Sequence, residues 1–251
     1  MEKLVELQQV TAGYADEVVL RNINLTVHAH DFVGVIGPNG GGKTTLVNVI
    51  LGIIKPMSGN IIFHPDSHDK RRRFIGYLPQ VSRTDKKFPI GVSDVVLSGL
   101  ATGHRFMNHY SASDNERVQQ VLAQMGIEHL AGKNIGELSG GQLQRVFLCR
   151  AIIAQPRLLI LDEPNTFVDN KFESDLYLIL RELNKTMAIL MVSHDVGTIT
   201  YYVKSIACVN RSLHYHNSNI ISQEQLASYN CPIQIITHGD VPHTVLRTHQ
   251  H

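Results

Sequence analysis

The segment Gly37-Pro38-Asn39-Gly40-Gly41-Gly42-Lys43-Thr44 constrains this chain more than any other stretch. It matches G-x-x-x-x-G-K-[ST], follows the apolar run Phe32-Val33-Gly34-Val35-Ile36 and precedes a helical segment, Thr44 to Leu51. That order reads as buried strand, glycine-rich turn and helix. Glycines let the backbone curl until several N–H groups face one point, and the helix N-terminus adds the positive end of its dipole. Such a cup fits phosphate oxygens. Lys43 would supply a point charge to the β- and γ-phosphates of ATP, and the Thr44 hydroxyl can ligate Mg²⁺. Gly37, Asn39, Gly40, Gly41, Gly42, Lys43, Thr44 and the adjacent Thr45 are therefore expected to hold the nucleotide.

Two further stretches fit the same chemistry. Leu158-Leu159-Ile160-Leu161 is an aliphatic strand that ends in Asp162-Glu163. The carboxyl edge of a parallel sheet would present Asp162 to the metal, and Glu163, one residue on, could orient or deprotonate the attacking water. Leu138-Ser139-Gly140-Gly141-Gln142 opens a helix that carries Arg145 and Arg150. Ser139 suits an N-cap, and the two glycines permit close backbone approach, which makes a second anion-facing surface. Two phosphate-facing surfaces on one chain suggest that two copies sandwich the nucleotide.

Around these stretches, strands are expected at Leu4–Val10, Val18–Val27, Ile61–Phe63, Phe74–Leu78 and Met187–Val192, with Gly13-Tyr14 as a turn. Helical patterns run from Val92 to about Ala131, from Gly140 to Ala154 and from Phe172 to Leu183. The alternation predicts an α/β fold with a parallel-sheet core and an inserted helical subdomain at about 92–154. A loose tail is expected after Tyr229. The net charge of +1 gives no global basic field for nucleic acid, and Lys70-Arg71-Arg72-Arg73 reads as a solvated loop. Cys149, Cys208 and Cys231 lie far apart with no CxxC pair, which fits a reducing compartment. The start, Met1-Glu2-Lys3-Leu4-Val5-Glu6, has no apolar core of a signal peptide, and apolar runs such as Met187 to Val192 fall short of the ~20 residues of a membrane helix.

The phosphate loop, the Leu138–Gln142 pentapeptide and the Asp162-Glu163 strand end, in that order, resemble the nucleotide-binding subunit of ABC transporters over nearly the whole chain. The resemblance implies a P-loop NTPase core with an N-terminal antiparallel β subdomain and the inserted α-helical subdomain, the cassette spanning 1–230 and a C-terminal tail spanning 231–251. It implies that Tyr14 stacks on adenine and that Gln80 reaches the metal and water. His194, in Val192-Ser193-His194-Asp195, would contact the γ-phosphate, and Asp169 would belong to the loop that crosses the dimer interface. Ser139, Gly140, Gly141 and Gln142 would face the nucleotide bound by the other copy. Catalysis would fall to Glu163 and His194, and Mg²⁺ to Thr44, Gln80 and Asp162. Two departures stand out: Gly41 adds a glycine that many relatives lack, and Phe167 is bulky where a small residue is common.

Within that family, a single cassette with no fused membrane helices and no long coiled-coil insertion favours an importer. Its partners would be a separate membrane-spanning permease, a second copy of this chain and, indirectly, an extracytoplasmic solute-binding protein, with the chain held at the cytoplasmic face of the cell membrane. The alternative is the ATPase of an exporter or of an importer for another solute. Val92-Ser93-Asp94-Val95-Val96-Leu97-Ser98-Gly99 and the tail Cys231 to His243 resemble the ATPases of zinc, manganese or iron uptake systems, with zinc slightly ahead. Half of the 14 histidines fall at or after His194. Their spacing matches no closed zinc site, so the cargo inference rests on the resemblance instead.

Overall fold

The computed structural model describes residues 1–15, 17–64, 74–80, 89–101, 110–164, 170–194, 196–220, 233–237 and 242–246. The chain divides into two compact units, one of Met1–Asp66 with Asn184–His251 and the other of Ser67–Leu183.

In the first unit, β1 (Lys3–Tyr14) pairs antiparallel with β2 (Glu17–His28) and with β4 (Ser58–Phe63). Their inward residues, among them Leu4, Val10, Leu20 and Ile23, are buried, while Glu17, Arg21 and Asn24 remain exposed, the alternation of a sheet with one wet face. β3 (Phe32–Ile36) lies between β7 (Ala188–Val192) and β8 (Ser205–Asn210), parallel to both. All five residues of β3 and of β7 are buried, as in a parallel sheet covered on both faces. β9 (Ser212–His216) returns antiparallel to β8. Helix α1 (Lys43–Ile50) leaves the end of β3 through the glycine-rich loop, and α6 (Val196–Tyr202) follows β7.

The second unit holds the parallel pair β5 (Ile75–Leu78) and β6 (Leu158–Asp162) with helices α2 (Val92–Leu97), α3 (Ala112–Gln124), α4 (Gly140–Ile152) and α5 (Asn170–Leu183). Val92, Val96, Val118, Leu122, Val146 and Leu148 form its buried helical faces. Ser111 caps α3 by accepting from the Asp114 N–H, and Asp114 accepts in return from the Ser111 N–H at 3.0 Å.

Two sequence expectations need correction. Gly13 and Tyr14 are not the turn: Tyr14 pairs with Glu17, so the strands run on and the chain reverses after Tyr14, with Ala15 at φ 47°. Gly13 serves close approach within the ladder instead, since a Cβ there would run into the Glu17 backbone. The stretch expected as a loose tail contains β10 (Ile233–Thr237) paired antiparallel with β11 (Pro242–Leu246), and both strands touch α6. The β-branched run at Ile233, Ile235 and Ile236 carried that signal.

Candidate functional site

The phosphate loop leaves β3 and closes on itself. Lys43 is buried, and its Nζ donates to the Gly37 carbonyl at 2.9 Å and the Pro38 carbonyl at 3.0 Å. Asn39, Gly40 and Thr44 are exposed at the mouth, while Thr45 is buried beneath it. Gly42 is the N-cap of α1, at φ 104°, and no side chain caps the helix. The left-handed backbone favours glycine, and a Cβ there would also meet Leu20 Cδ2 at 2.5 Å, so that side chain would have to shift. Gly42 thus offers no side chain to the start of α1, an arrangement that suits an anion as the cap.

His194 follows β7, the neighbour of β3, and is exposed; the preceding Ser193 N–H donates to the Val35 carbonyl at 3.0 Å. His194 and the phosphate loop therefore leave adjacent parallel strands at the same carboxyl edge. Tyr14, at the end of β1, is 51% exposed.

In the second unit, Asp162 ends β6 with 5% exposure, and half-buried Glu163 follows at φ 48°. A β-strand that passes into left-handed backbone at a non-glycine residue is strained, and such strain concentrates at functional positions. The Gln80 amide donates from Nε2 to Glu163 Oε2 at 2.7 Å, so two of the expected site residues meet directly. Tyr77, on the strand beside β6, has its phenol pushed up to about 12 by burial and then by the Asp162 charge. It stays neutral and leaves the negative field to the carboxylates. Nothing in the sequence singled out Tyr77.

Ser139 is the N-cap of α4. Its Oγ accepts from the Gln142 N–H at 3.3 Å, and Gln142 Oε1 accepts from the Ser139 N–H at 3.0 Å. Ser139 and Gly140 are exposed, with Gly141 half-buried, so the pentapeptide presents an open face. One turn further, Arg145 donates to the Met125 carbonyl at 2.8 Å and to Asp175 Oδ2 at 3.3 Å, fixing α4 against the end of α3 and against α5. Asp169 and Phe167 lie outside the described residues. Among the described residues, no helix is long and apolar enough to cross a membrane, and no group of three His, Cys, Asp or Glu side chains could hold a metal ion.

The ABC transporter family matches residues 20–166 of the 251. A probable metal transport system ATP-binding protein of Thermotoga maritima is 37% identical, covering 89% of each chain. The zinc uptake system ATP-binding protein ZurA of Listeria innocua is 36% identical, covering 90% of each. Among solved structures, an ABC transporter in an inward-facing conformation superposes with a TM-score of 0.83 at 25% identity, over 99% of this chain and 98% of that one. CbiO1 of Clostridium perfringens, part of the ABC transporter complex cbiONQ, gives 0.73 at 28% identity over 86% and 89%. The family match spans the phosphate loop, the Ser139 helix start and the Asp162-Glu163 strand end together, and on it the chain belongs to the ABC transporter ATP-binding family.

Proposed function

We propose that this chain powers the import of a divalent transition metal, zinc ahead of manganese or iron, through a separate membrane-spanning permease. As a member of its family it binds and hydrolyses ATP. The cargo reading is supported by relatives named for metal transport and zinc uptake that match along about nine-tenths of this chain. The chain would sit at the cytoplasmic face of the membrane, with an extracytoplasmic binding protein delivering the metal to the permease.

The residue roles follow from chemistry. The loop from Gly37 to Thr45, with Asn39 at its mouth, holds the phosphates, and Tyr14 lies against the base. Lys43 exchanges its two loop carbonyls for phosphate oxygens, trading neutral acceptors for charged ones. The hydroxyl of Thr44, the carboxylate of Asp162 and the amide oxygen of Gln80 are hard oxygen donors, which suit Mg²⁺ and not a soft metal. Bound Mg²⁺ would neutralise phosphate charge. Glu163, bridged to Gln80, orients water and accepts its proton, and His194 donates to the phosphoryl group as it transfers. Ser139, Gly140, Gly141 and Gln142 of a second copy close over the nucleotide, and Asp169 crosses that interface.

The observation that best supports the catalytic part of this reading is the Gln80–Glu163 bond, a contact between the proposed base and a proposed metal ligand. The test is transport by the assembled complex in vesicles loaded with ATP and Mg²⁺. Uptake of radioactive Zn²⁺ that stops with Glu163→Gln is expected. ATP hydrolysis without uptake of Zn²⁺, Mn²⁺ or Fe²⁺ would remove the metal cargo and leave the ATPase in place.

A further inference from the structure

The phosphate loop does not hold its shape alone. Arg211, in the tight turn between β8 and β9, adopts φ 60°, left-handed backbone that a residue with a side chain takes only under constraint. Its N–H donates to the Gly41 carbonyl at 2.9 Å, and its own carbonyl accepts from the Arg21 N–H of β2 at 2.7 Å. One peptide unit on either side of Arg211 therefore ties the phosphate loop to the hairpin whose tip carries Tyr14. The end of β8 also presses on the loop from behind. A Cβ on Gly41 would sit 2.8 Å from the Val209 carbonyl oxygen and 3.0 Å from the Pro38 carbonyl oxygen. Gly41 has no positive φ, so what it supplies is close approach. That accounts for the additional glycine of this loop. The Arg21 and Arg211 side chains are both exposed, so the link runs through backbone.

The geometry points to Arg211 as a positioning residue, whose backbone sets the curl of the phosphate loop and its register against the Tyr14 hairpin. A site is held to working geometry only when a supporting layer fixes the groups that touch the ligand. Here the support is two hydrogen bonds from one residue far from the loop in sequence. The Gly41 carbonyl, satisfied from behind, is kept turned away from the nucleotide, so it presents no negative dipole to the phosphates.

The proposal rests on the reading that Gly37–Thr45 holds phosphate, so the experiment carries a control for it. The full chain is titrated with a fluorescent N-methylanthraniloyl ATP and Mg²⁺, and each variant is melted without nucleotide. Arg211→Gly keeps the N–H and suits the left-handed backbone, and should bind within about twofold of the parent. Arg211→Pro loses the donor and cannot take positive φ, and Gly41→Ala forces the end of β8 back; each should weaken binding about tenfold or more. Because proline at 211 also strains the β8–β9 turn, amide exchange is followed in the parent chain, where the Arg21 and Arg211 amides should slow on addition of the ATP analogue. A folded Arg211→Pro with parental affinity, or amides at 21 and 211 indifferent to nucleotide, overturns the proposal. If Lys43→Ala binds as well as the parent, it is the phosphate reading that fails.

Discussion

Helices α1 and α4 both begin at glycine-rich turns, yet Gly42 gives α1 no side-chain cap whereas Ser139 gives α4 a reciprocal capping box with Gln142. The supports continue along their lengths. α4 carries Arg150 in its last turn, where a cation complements the dipole, and α1 has neither an acidic first turn nor a basic last one. α1 is instead held by burial, with Thr45, Leu46, Val47, Val49 and Ile50 all inside. A helix start at glycine has no side chain of its own to occupy it, which suits the phosphate proposed there. One that caps itself can stand ready without a ligand: Ser139 Oγ accepts from the Gln142 N–H at 3.3 Å, which leaves its O–H available to donate to the phosphate proposed on another copy.

The sharpest test of the open start is Lys43→Ala. Removing the ammonium deletes a charge-assisted contact worth about 2–3 kcal/mol, so ATP binding should fall roughly 30- to 150-fold. The rise in melting temperature that saturating Mg·ATP gives the parent should vanish with it. A thermal shift that survives in this variant would mean the α1 start is not where the phosphates sit.

Gly42→Ala asks whether the α1 cap position tolerates any side chain. Left-handed backbone costs a non-glycine residue about 1–2 kcal/mol, and the contact with Leu20 adds to it. Nucleotide affinity should fall about tenfold, less than for Lys43→Ala, because the charge remains. Equal affinity for parent and variant in direct titration would show that the loop can re-form around a methyl group.

How legible these features were in the sequence follows from what each is made of. The α1 start was readable because its demands fall on residue types, glycines at set spacing and one lysine. The Ser139 cap was readable for the same reason, since serine at this position followed by Gln142 three residues on is itself the capping pattern. The strain at Glu163 was not, because Asp-Glu after an aliphatic run does not announce positive φ. Neither was the support from Arg211, whose hydrogen bonds use main-chain atoms that every residue but proline carries. The Tyr14 hairpin reverses two residues later than the glycine suggests, because Gly13 lies within the ladder. Residue types encode contacts made by side chains and by missing side chains; contacts made by peptide groups stay silent until the fold brings them together.

Ser139→Ala tests the closed start. Loss of an N-cap hydroxyl costs about 1 kcal/mol, and for a chain of this length that lowers the melting temperature by about 2–4 °C. ATP turnover by the assembled complex should fall as well, because the same oxygen is proposed to meet phosphate. Ser139→Asp separates the two effects. The carboxylate caps at least as well and should restore the melting temperature, but it would place a negative charge against phosphate, and turnover should stay low. Turnover restored by Asp would reduce Ser139 to a capping residue.

The smallest expected effect lies at the far end of the same helix. Arg150 is exposed in the last turn of α4, so its favourable interaction with the carbonyl end of the dipole is a surface term of about 0.3–1 kcal/mol. Arg150→Gln keeps a long polar side chain and good helix propensity while removing the charge. The melting temperature should drop by about 1–3 °C in low salt. Because the term is electrostatic and exposed, the parent and the variant should converge as ionic strength is raised to about 1 M, where the screening length is about 3 Å. No matching change exists for α1, which has no basic residue in its last turn to remove. A difference between Arg150→Gln and the parent that persists undiminished in high salt would locate the contribution of Arg150 in packing of its aliphatic stem instead, and the self-support of α4 would then end at its serine cap.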